Sequence, residues 1–341
     1  MSTIKDIAKR TGVSVGTVSN YINNPDLLSK KTYQEIKQVI EEVGFYPHEA
    51  ARSLKLNQTK RLGIVTRISP KENESLLPSD VVFLELLAAI NTIATENGYG
   101  LLLNAFTETH NELDLYKKLV GERQVDGLIL TDTNKQDPRI EFLFNQNFPF
   151  VSFGRSNNCD KHPYVDMDGT KGIAEAVSYL VQLGHKKIAY INPPQGLMCT
   201  ELRWKGFFET MQKFNLSIID DYVIDGDFSE ESGSISMNKL LDLSEKPTAV
   251  ITPNDVSAFG AMRALQNRKL FPGRDISIVG FDDIRLAAQW HPSLTTIAQP
   301  IRKIGFFAAK MLLEIINDEP GNRHVIVEPT LIVRESTSEA R

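Results

Sequence analysis

Apolar positions recur every three or four residues at the start of the chain, which predicts short helices. Thr3, followed by Asp6 three positions later, is typical of a capping box at the start of the first helix. Gly12 predicts the end of that helix. Ser14 then predicts the cap of a second helix that runs over residues 15–23.

A third helix is predicted from Ser29, its cap, to Gly44, its stop, with Tyr33, Ile36 and Val43 at helical spacing. Two short helices joined by a turn that contains Gly are typical of a helix-turn-helix. In such a motif the second helix lies in the major groove of DNA. A small helical bundle without a DNA-binding role has the same pattern and remains an alternative.

Beyond residue 60 the pattern changes to short apolar runs that alternate with helical segments. Strands are predicted at 62–66, 100–106, 127–130, 150–153, 187–191, 222–224, 249–252 and 276–279. Helices are predicted near 81–97, 110–121, 138–145, 201–214, 230–242, 255–268 and 301–317. Two successive series of this kind predict two α/β subdomains, each a doubly wound parallel sheet.

The domain organisation follows from these patterns, with three crossings expected near Val165, Leu294 and His324. We predict a DNA-binding head at 1–47, a hinge helix or linker at 48–60, and a core at 61–341. The core divides into a first subdomain, about 61–165 plus 295–323, and a second, about 166–294 plus 324–341.

Charge is distributed unevenly along the chain. The whole chain carries a formal net charge of −5, yet its first sixty residues hold nine Lys or Arg against six acids. A basic head on an acidic body fits nucleic-acid binding by the head.

Composition excludes some classes of protein. No apolar run reaches the roughly 18–20 residues of a membrane helix. Charged residues such as Lys5, Lys9 and Arg10 interrupt the N-terminus where a signal peptide would be apolar. Cys159 and Cys199 form no CxxC motif, so we expect a reduced, cytoplasmic protein.

Enzyme motifs are missing from the sequence. It contains no GxGxxG after the first strand, no phosphate-binding GxxxxGK[ST] loop and no HExxH, and its six histidines are isolated. We therefore predict no catalytic site, no metal and no cofactor.

Polar and aromatic residues follow the predicted strands of the second subdomain: Arg203, Phe228, Asn254 and Asp282. Ligands of open α/β sheets bind beyond the carboxyl ends of the strands, so a cleft between two such sheets is the expected site. A carboxylate and a guanidinium bind hydroxyl groups, while a ring packs on an apolar sugar face. Helix capping by Asn254 and Asp282 is the alternative role.

Several motifs together resemble the LacI/GalR family of bacterial repressors. They are Ile4-Lys5-Asp6-Ile7-Ala8, Gly12-Val13-Ser14, Thr17-Val18-Ser19, Gly44-Phe45-Tyr46-Pro47 and Ala51-Arg52-Ser53-Leu54, in the family's order. Later segments extend the resemblance over nearly the whole chain, and the core then resembles type I periplasmic binding proteins.

The resemblance implies DNA contacts at Ser14, Val15, Gly16, Thr17, Ser19, Asn20, Asn23, His48, Ala51, Leu54 and Lys55. Val15, Gly16 and Asn20 would face bases. Leu54 would wedge into the minor groove from a hinge helix that forms on the operator. His48 stands where the family usually has Asn.

The resemblance also implies effector contacts at Phe83, Gly154, Asp168, Arg203, Phe228, Asn254 and Asp282. Arg203 lies in Arg-x-x-Gly-Phe, and Asp282 lies in Val279-Gly280-Phe281-Asp282-Asp283. Gly169 departs from the Asn that usually ends the Asp166-Met167-Asp168 segment.

We therefore predict a ligand-responsive repressor of carbohydrate-utilisation genes that binds a palindromic operator of double-stranded DNA as a homodimer. Its predicted effector is a small molecule, a sugar, and no membrane partner is expected. The alternatives are a sugar-binding protein without a DNA role, an α/β enzyme, and a regulator controlled by a non-sugar effector or a partner protein.

Overall fold

The computed structural model describes residues 3–45, 58–67, 79–106, 111–157 and 159–341. The chain divides into two compact units, the first ending at Lys60 and the second beginning at Arg61. The predicted hinge contacts His48, Ala51, Leu54 and Lys55 lie outside the described residues.

The first unit contains the predicted helices: α1 (Ile4–Thr11), α2 (Val15–Asn23) and α3 (Lys30–Val43), with a 3-10 turn at Pro25–Leu27. The Thr3 hydroxyl accepts from the amide of Asp6, whose carboxylate accepts from the amide of Thr3, so the capping box is confirmed. Gly12 and Gly44 end α1 and α3 in the left-handed conformation, which glycine adopts without strain.

A small apolar core holds these helices together. Ile7, Val18 and Ile36, one from each helix, are fully buried, and Phe45 covers them after α3 ends. Because isolated helices of this length are marginal in water, this shared core stabilises the unit.

The second unit is built from alternating strands and helices. Its strands are β1 (Arg61–Arg67), β2 (Gly100–Phe106), β3 (Gly127–Leu130), β4 (Phe150–Phe153), β5 (Tyr164–Met167), β6 (Ile188–Asn192), β7 (Val223–Asp225), β8 (Ala249–Ile251), β9 (Ser277–Asp282), β10 (Thr295–Ala298), β11 (His324–Val327) and β12 (Thr330–Ile332). Its helices are α4 (Ser79–Glu96), α5 (Glu112–Gly121), α6 (Pro138–Asn145), α7 (Gly169–Gln182), α8 (Met198–Lys213), α9 (Glu230–Asp242), α10 (Asp255–Asn267), α11 (Arg285–Gln289) and α12 (Ile301–Ile316). Two further 3-10 turns are Cys159–Lys161 and Asp220–Tyr222.

Within the described residues, these strands form two six-stranded sheets. The first has the order β11-β5-β4-β3-β1-β2, and the second has the order β12-β10-β9-β8-β6-β7. All neighbours are parallel except β10 and β12, which are antiparallel. The predicted fold class, a helical head with two doubly wound parallel-sheet subdomains, is confirmed.

The predicted subdomain boundaries need correction at two strands. Residues 295–298 form β10 and pair with β9 in the second sheet, whereas residues 324–327 form β11 and pair with β5 in the first. The chain therefore crosses between subdomains after β5, β10 and β11, a few residues later than expected. Both strands have only four residues, too few for a clear pattern.

The sequence also missed β5, β10, α7 and α11. Strand β5 is interrupted by the charged side chain of Asp166, and α7 carries Gly169 and Gly172 in its first turn, where glycine weakens a helical pattern. Among the described helices, none combines the length and apolarity needed to cross a membrane.

Candidate functional site

A cavity of about 350 Å³ lies at the carboxyl ends of strands from both sheets. Its lining comes from both subdomains: Thr66, Val82, Phe83, Leu86, Thr131, Asp132, Thr133, Phe153, Gly154, Arg155, Asp166, Met167, Gly169, Leu197, Met198, Cys199, Leu202, Arg203, Phe228, Asn254, Asp282 and Gln299. Six of the seven predicted effector residues are in this set. The volume lies near the lower end of small-molecule sites, roughly 300–1,000 Å³.

Asp168 is the predicted effector residue that the structure places outside the lining. Its carboxylate caps α7, where it accepts a hydrogen bond of 3.0 Å from the amide of Lys171. The neighbouring residues Asp166 and Gly169 reach the cavity instead. The sequence could not make this distinction because β5, which sets which side chains point into the cavity, was not recognised.

Arg203 lies in the cavity wall on α8 and is only 6% exposed. Its Nη1 donates to the carbonyl of Pro253 at 2.8 Å, and its guanidinium stacks 3.5 Å above the ring of Phe281. Its Nε has no hydrogen-bond partner among the described residues. A buried donor without a partner is costly, and this Nε is shielded from solvent by its own surroundings.

Gly169 lies against the side chain of Arg203. A Cβ built at Gly169 would lie 3.1 Å from the Cγ of Arg203, so a side chain there would require the arginine stem to shift by a few tenths of an ångström.

Asp282 ends β9 with a φ of 119°, a conformation that is rare for residues with a side chain. Its carboxylate accepts from the side-chain amide of Gln299. Burial raises the pKa of Asp282 to about 6, although the charge of Arg203 and the bond from Gln299 act in the opposite direction. A strained carboxyl group at a strand end is typical of functional sites.

A second carboxyl group, Asp255, lies behind Asp282 and is fully buried. It accepts from the amide of Ile284 at 2.9 Å and from the hydroxyl of Thr296. Burial, together with the charge of Asp282, raises the pKa of Asp255 well above its usual value. Asp255 thus anchors the first turn of α10 to the crossing strand β10 behind the cavity.

Arg155 and Asp166 form an ion pair on the first-subdomain side of the cavity. The Arg155 Nε donates to one carboxylate oxygen at 2.6 Å, and the amide of Met167 donates to the other at 2.8 Å. Burial raises the pKa of Asp166, and the charge of Arg155 opposes this rise. Neither residue was predicted from the sequence. The signal that could have identified them is the presence of charged residues next to and within the short apolar strand β5.

A backbone bridge joins the subdomains at the rim of the cavity. Asn134 and Leu197 form an antiparallel β-bridge. The amide of Lys135 donates to Gly196 at 3.2 Å, and the amide of Met198 donates to Thr133 at 3.1 Å. The Lys135 ammonium also contacts Glu201 at 2.7 Å. We call this set the rim bridge.

The cavity offers hydrogen-bonding groups and apolar surface for a small molecule. Cys199 lines it, and burial raises the pKa of that thiol, which disfavours the reactive thiolate. Among the described residues, no group of three or more His, Cys, Asp or Glu could hold a metal ion.

The head places most of its predicted contacts on α2. Ser14, Val15 and Gly16 are exposed, and the Ser14 hydroxyl lies 2.9 Å from that of Thr17 while it caps the helix. Ser19 and Asn20 are half-buried on the next turn, and Asn23 ends the helix. Val15 is 47% exposed, so its side chain is open to contact from outside the head.

Two family descriptions match this chain. "Bacterial regulatory proteins, lacI family" matches residues 3–48, and "Periplasmic binding protein-like domain" matches residues 177–337. The first covers the helical head and the second covers most of the second subdomain and the crossings that follow it.

Full-length relatives are similar over almost the whole chain. The HTH-type transcriptional repressor PurR of Proteus mirabilis is 33% identical over 99% of this chain and 98% of its own length. The PurR of Histophilus somni is 32% identical over 98% and 99%.

Solved structures of other proteins are also similar over almost the whole chain. The lac repressor dimer bound to operator and the anti-inducer ONPF is 27% identical, with a TM-score of 0.87 over 99% of both chains. The transcriptional regulator CelR in complex with cellobiose is 27% identical, with a TM-score of 0.74 over 98% of this chain and 100% of that one.

Proposed function

Because this chain belongs to the LacI/GalR family of helix-turn-helix transcriptional repressors, we propose that it binds a palindromic operator as a homodimer and responds to a small hydroxylated effector, a sugar. The observation that carries the effector part is the cavity itself. Arg203, Asn254 and Asp282 line one wall of it together with the ring of Phe228. Under this proposal the protein acts in the cytoplasm, without a cofactor.

A sugar fits the chemistry of this wall. The carboxylate of Asp282 accepts from hydroxyl groups, and the guanidinium of Arg203 donates to a hydroxyl or ring oxygen. Phe228 packs on the apolar face of a pyranose ring. CelR, which is similar in fold, is described as a complex with cellobiose.

A flat heterocycle is the second candidate effector. Three phenyl rings from separate parts of the sequence line the cavity: Phe83, Phe153 and Phe228. Apolar side chains such as Met167 and Leu197 line it as well. Aromatic and apolar walls of this kind also favour planar rings, which stack on phenyl groups.

A thermal-shift screen of sugars, nucleobases and amino acids on purified protein tests the effector. We expect cellobiose or another sugar to raise the melting temperature in proportion to the logarithm of its concentration. A response to nucleobases alone would replace the sugar by a heterocycle. No response to any class would count against a small-molecule effector.

The DNA part of the proposal assigns the major-groove contacts to Ser14, Val15, Gly16, Thr17, Ser19, Asn20 and Asn23. The family resemblance assigns the minor-groove and phosphate contacts to His48, Ala51, Leu54 and Lys55. Phosphate contacts by a basic head make affinity fall steeply with salt. Fluorescence anisotropy with a labelled palindrome at low and moderate salt tests this, and a salt-independent affinity would contradict it.

The homodimer is supported by an apolar surface on α4 and the edge strand β2. Leu84 and Leu103 are 54% and 49% exposed, and a shallow groove beside them is lined by Ile64, Leu87, Ala88, Asn91, Leu101 and Leu103. Exposed apolar side chains beside an apolar groove are typical of an interface between proteins. A two-fold dimer then gives two heads, which matches a palindrome.

Effector and operator binding are linked under this proposal. If the effector changes the affinity for the operator by some factor, the operator changes the affinity for the effector by the same factor. Titrating the effector with and without bound operator measures this factor and its sign, which separates an inducer from a co-repressor.

A further inference from the structure

Asn254 caps α10, yet its side chain also reaches the residue in front of α9. Its Oδ1 accepts from the amide of Ser257 at 2.9 Å, and its Nδ2 donates to the carbonyl of Phe228 at 3.0 Å. Asn254 is 3% exposed. The carbonyl and one of the two amide hydrogens are therefore engaged with the chain itself, which leaves a single N–H for any ligand.

The backbone conformation of Phe228 explains why a hydrogen bond from Asn254 matters there. Its φ is +69°, the left-handed region that a residue with a Cβ rarely adopts. Residues in this region persist where their surroundings hold them, and they cluster at binding sites. The left-handed turn places Phe228 in the cavity lining just before α9 begins.

The two helices are locked together next to this turn. A Cβ on Gly233 of α9 would lie 2.0 Å from the carbonyl oxygen of Ser257, and one on Gly260 of α10 would lie 1.9 Å from that of Glu230. The backbones are therefore in direct contact at both positions. The Ser257 hydroxyl adds a bond of 3.1 Å to the carbonyl of Ser229. The N-terminus of α10 is thus a fixed support for the turn that carries Phe228.

We propose that Asn254 is a positioning residue of the cavity, which acts by holding Phe228 against the ligand. This inference rests on the proposed function, since it requires that the cavity binds an effector. It assigns Asn254 a different task from Arg203 and Asp282, whose guanidinium and carboxylate line the cavity and would contact the ligand directly.

A double-mutant cycle with cellobiose as the probe tests the proposal by calorimetry. Asn254→Ser keeps a capping hydroxyl for α10 but is too short to reach Phe228. We expect Asn254→Ser to weaken cellobiose binding roughly tenfold in the native chain, the effect of one lost hydrogen bond. In a Phe228→Ala background, Asn254→Ser should weaken cellobiose binding by less than about twofold, because the ring that Asn254 positions is already absent.

The matched control is Asn267→Ser, an exposed Asn at the other end of α10, which should leave cellobiose affinity unchanged in both backgrounds. An equal loss from Asn254→Ser in both backgrounds would show a direct ligand contact and overturn the proposal. Unchanged affinity in the native background would overturn it as well.

A second readout needs no ligand. In a Phe228→Trp chain, acrylamide quenching of the added indole reports how firmly position 228 is held, after subtraction of the signal from Trp204 and Trp290. Asn254→Ser should raise the quenching constant, and Asn267→Ser should not. Unchanged quenching overturns the positioning role. If cellobiose does not bind the native chain but quenching rises, the positioning role stands and the sugar effector fails.

Discussion

Asp166 from the first subdomain and Asp282 from the second line the same cavity, and burial raises the pKa of both carboxyl groups. Their partners differ in charge. Asp166 is paired with the guanidinium of Arg155, whereas Asp282 accepts from the neutral amide of Gln299. Asp282 therefore has no ion-pair partner of its own among the described residues, although the charge of Arg203 lowers its pKa against the effect of burial.

The first prediction concerns the stability of the core at different pH values. Because the folded pKa of Asp282 is about 6 and its ordinary value is 3.8, the folded state favours the neutral form. This contribution to stability is present below about pH 4 and is lost as pH rises through 6. Asp282→Asn stays neutral, so its free energy of unfolding should rise relative to the native chain by about 1–2 kcal/mol between pH 4.5 and 7.5.

Urea unfolding of both chains over that pH range measures this difference. Asp283→Asn is the neighbouring control, although it loses the ion pair with Arg334 and should therefore be less stable at neutral pH. A stability difference between Asp282→Asn and the native chain that is the same at every pH would show that Asp282 does not carry the shift.

The second prediction concerns Arg203. Arg203→Ala removes a guanidinium from the cavity lining, together with its bond to Pro253. Effector affinity should fall by about 1–3 kcal/mol, because a ligand acceptor would be left without its partner. Operator affinity without effector should stay near native, since the head folds around a core of its own. Anisotropy with labelled operator, with and without effector, measures both.

Lys205→Ala, an exposed position on the same helix, is the control and should respond to effector normally. Circular dichroism must show that Arg203→Ala remains folded, since the arginine also stacks on Phe281. A folded Arg203→Ala chain with a native response would move the effector site away from this cavity.

The third prediction concerns what α2 reads. Gly16 has no side chain and Val15 has no hydrogen-bonding group, so Asn20 alone among the predicted base-facing residues can make a bidentate pair, for which adenine is the match. Asn20→Ala should lose about 1–3 kcal/mol of discrimination at one base pair of each half-site. Selection of operators from a random pool with both chains measures this. Weaker binding with the same preference at every base would mean that Asn20 contacts phosphate.

The fourth prediction concerns the dimer. Leu84→Glu places a charge on the apolar surface of α4 and should shift the protein from dimer to monomer, because a buried charge without a partner is costly. Sedimentation equilibrium measures the shift. Phe144→Glu, on the equally exposed but separate surface of α6, should leave the dimer intact. If both chains remain dimeric, the interface lies elsewhere.

Local signals allowed much of the fold to be predicted. The caps Thr3, Ser14 and Ser29 act on neighbouring residues, so the helices of the head could be placed almost to the residue. Long apolar strands such as β2 were equally clear. Short strands such as β10 were not, because a four-residue run with two threonines carries little periodicity and depends on its neighbours in the sheet.

Those residues of the candidate site that follow a strand recognisable from local sequence could be predicted. Arg203, Phe228 and Asp282 follow strands that the pattern identified, and the structure brings them into one cavity. The ion pair of Arg155 with Asp166 and the bond from Asn254 to Phe228 join residues 11 and 26 positions apart. Pairings at such separations depend on tertiary packing, which periodicity does not contain.

The rim bridge has a consequence for the timing of the response. The chain crosses between the subdomains beside β5, β10 and β11, whereas Asn134 and Leu197 join them after β3 and β6, away from those sheet edges. Parting the sheets at the rim therefore breaks two backbone hydrogen bonds and the contact of Lys135 with Glu201. If the cavity holds an effector as proposed, breaking these contacts is one barrier to its release, so the rim bridge would lengthen the time that a ligand stays bound.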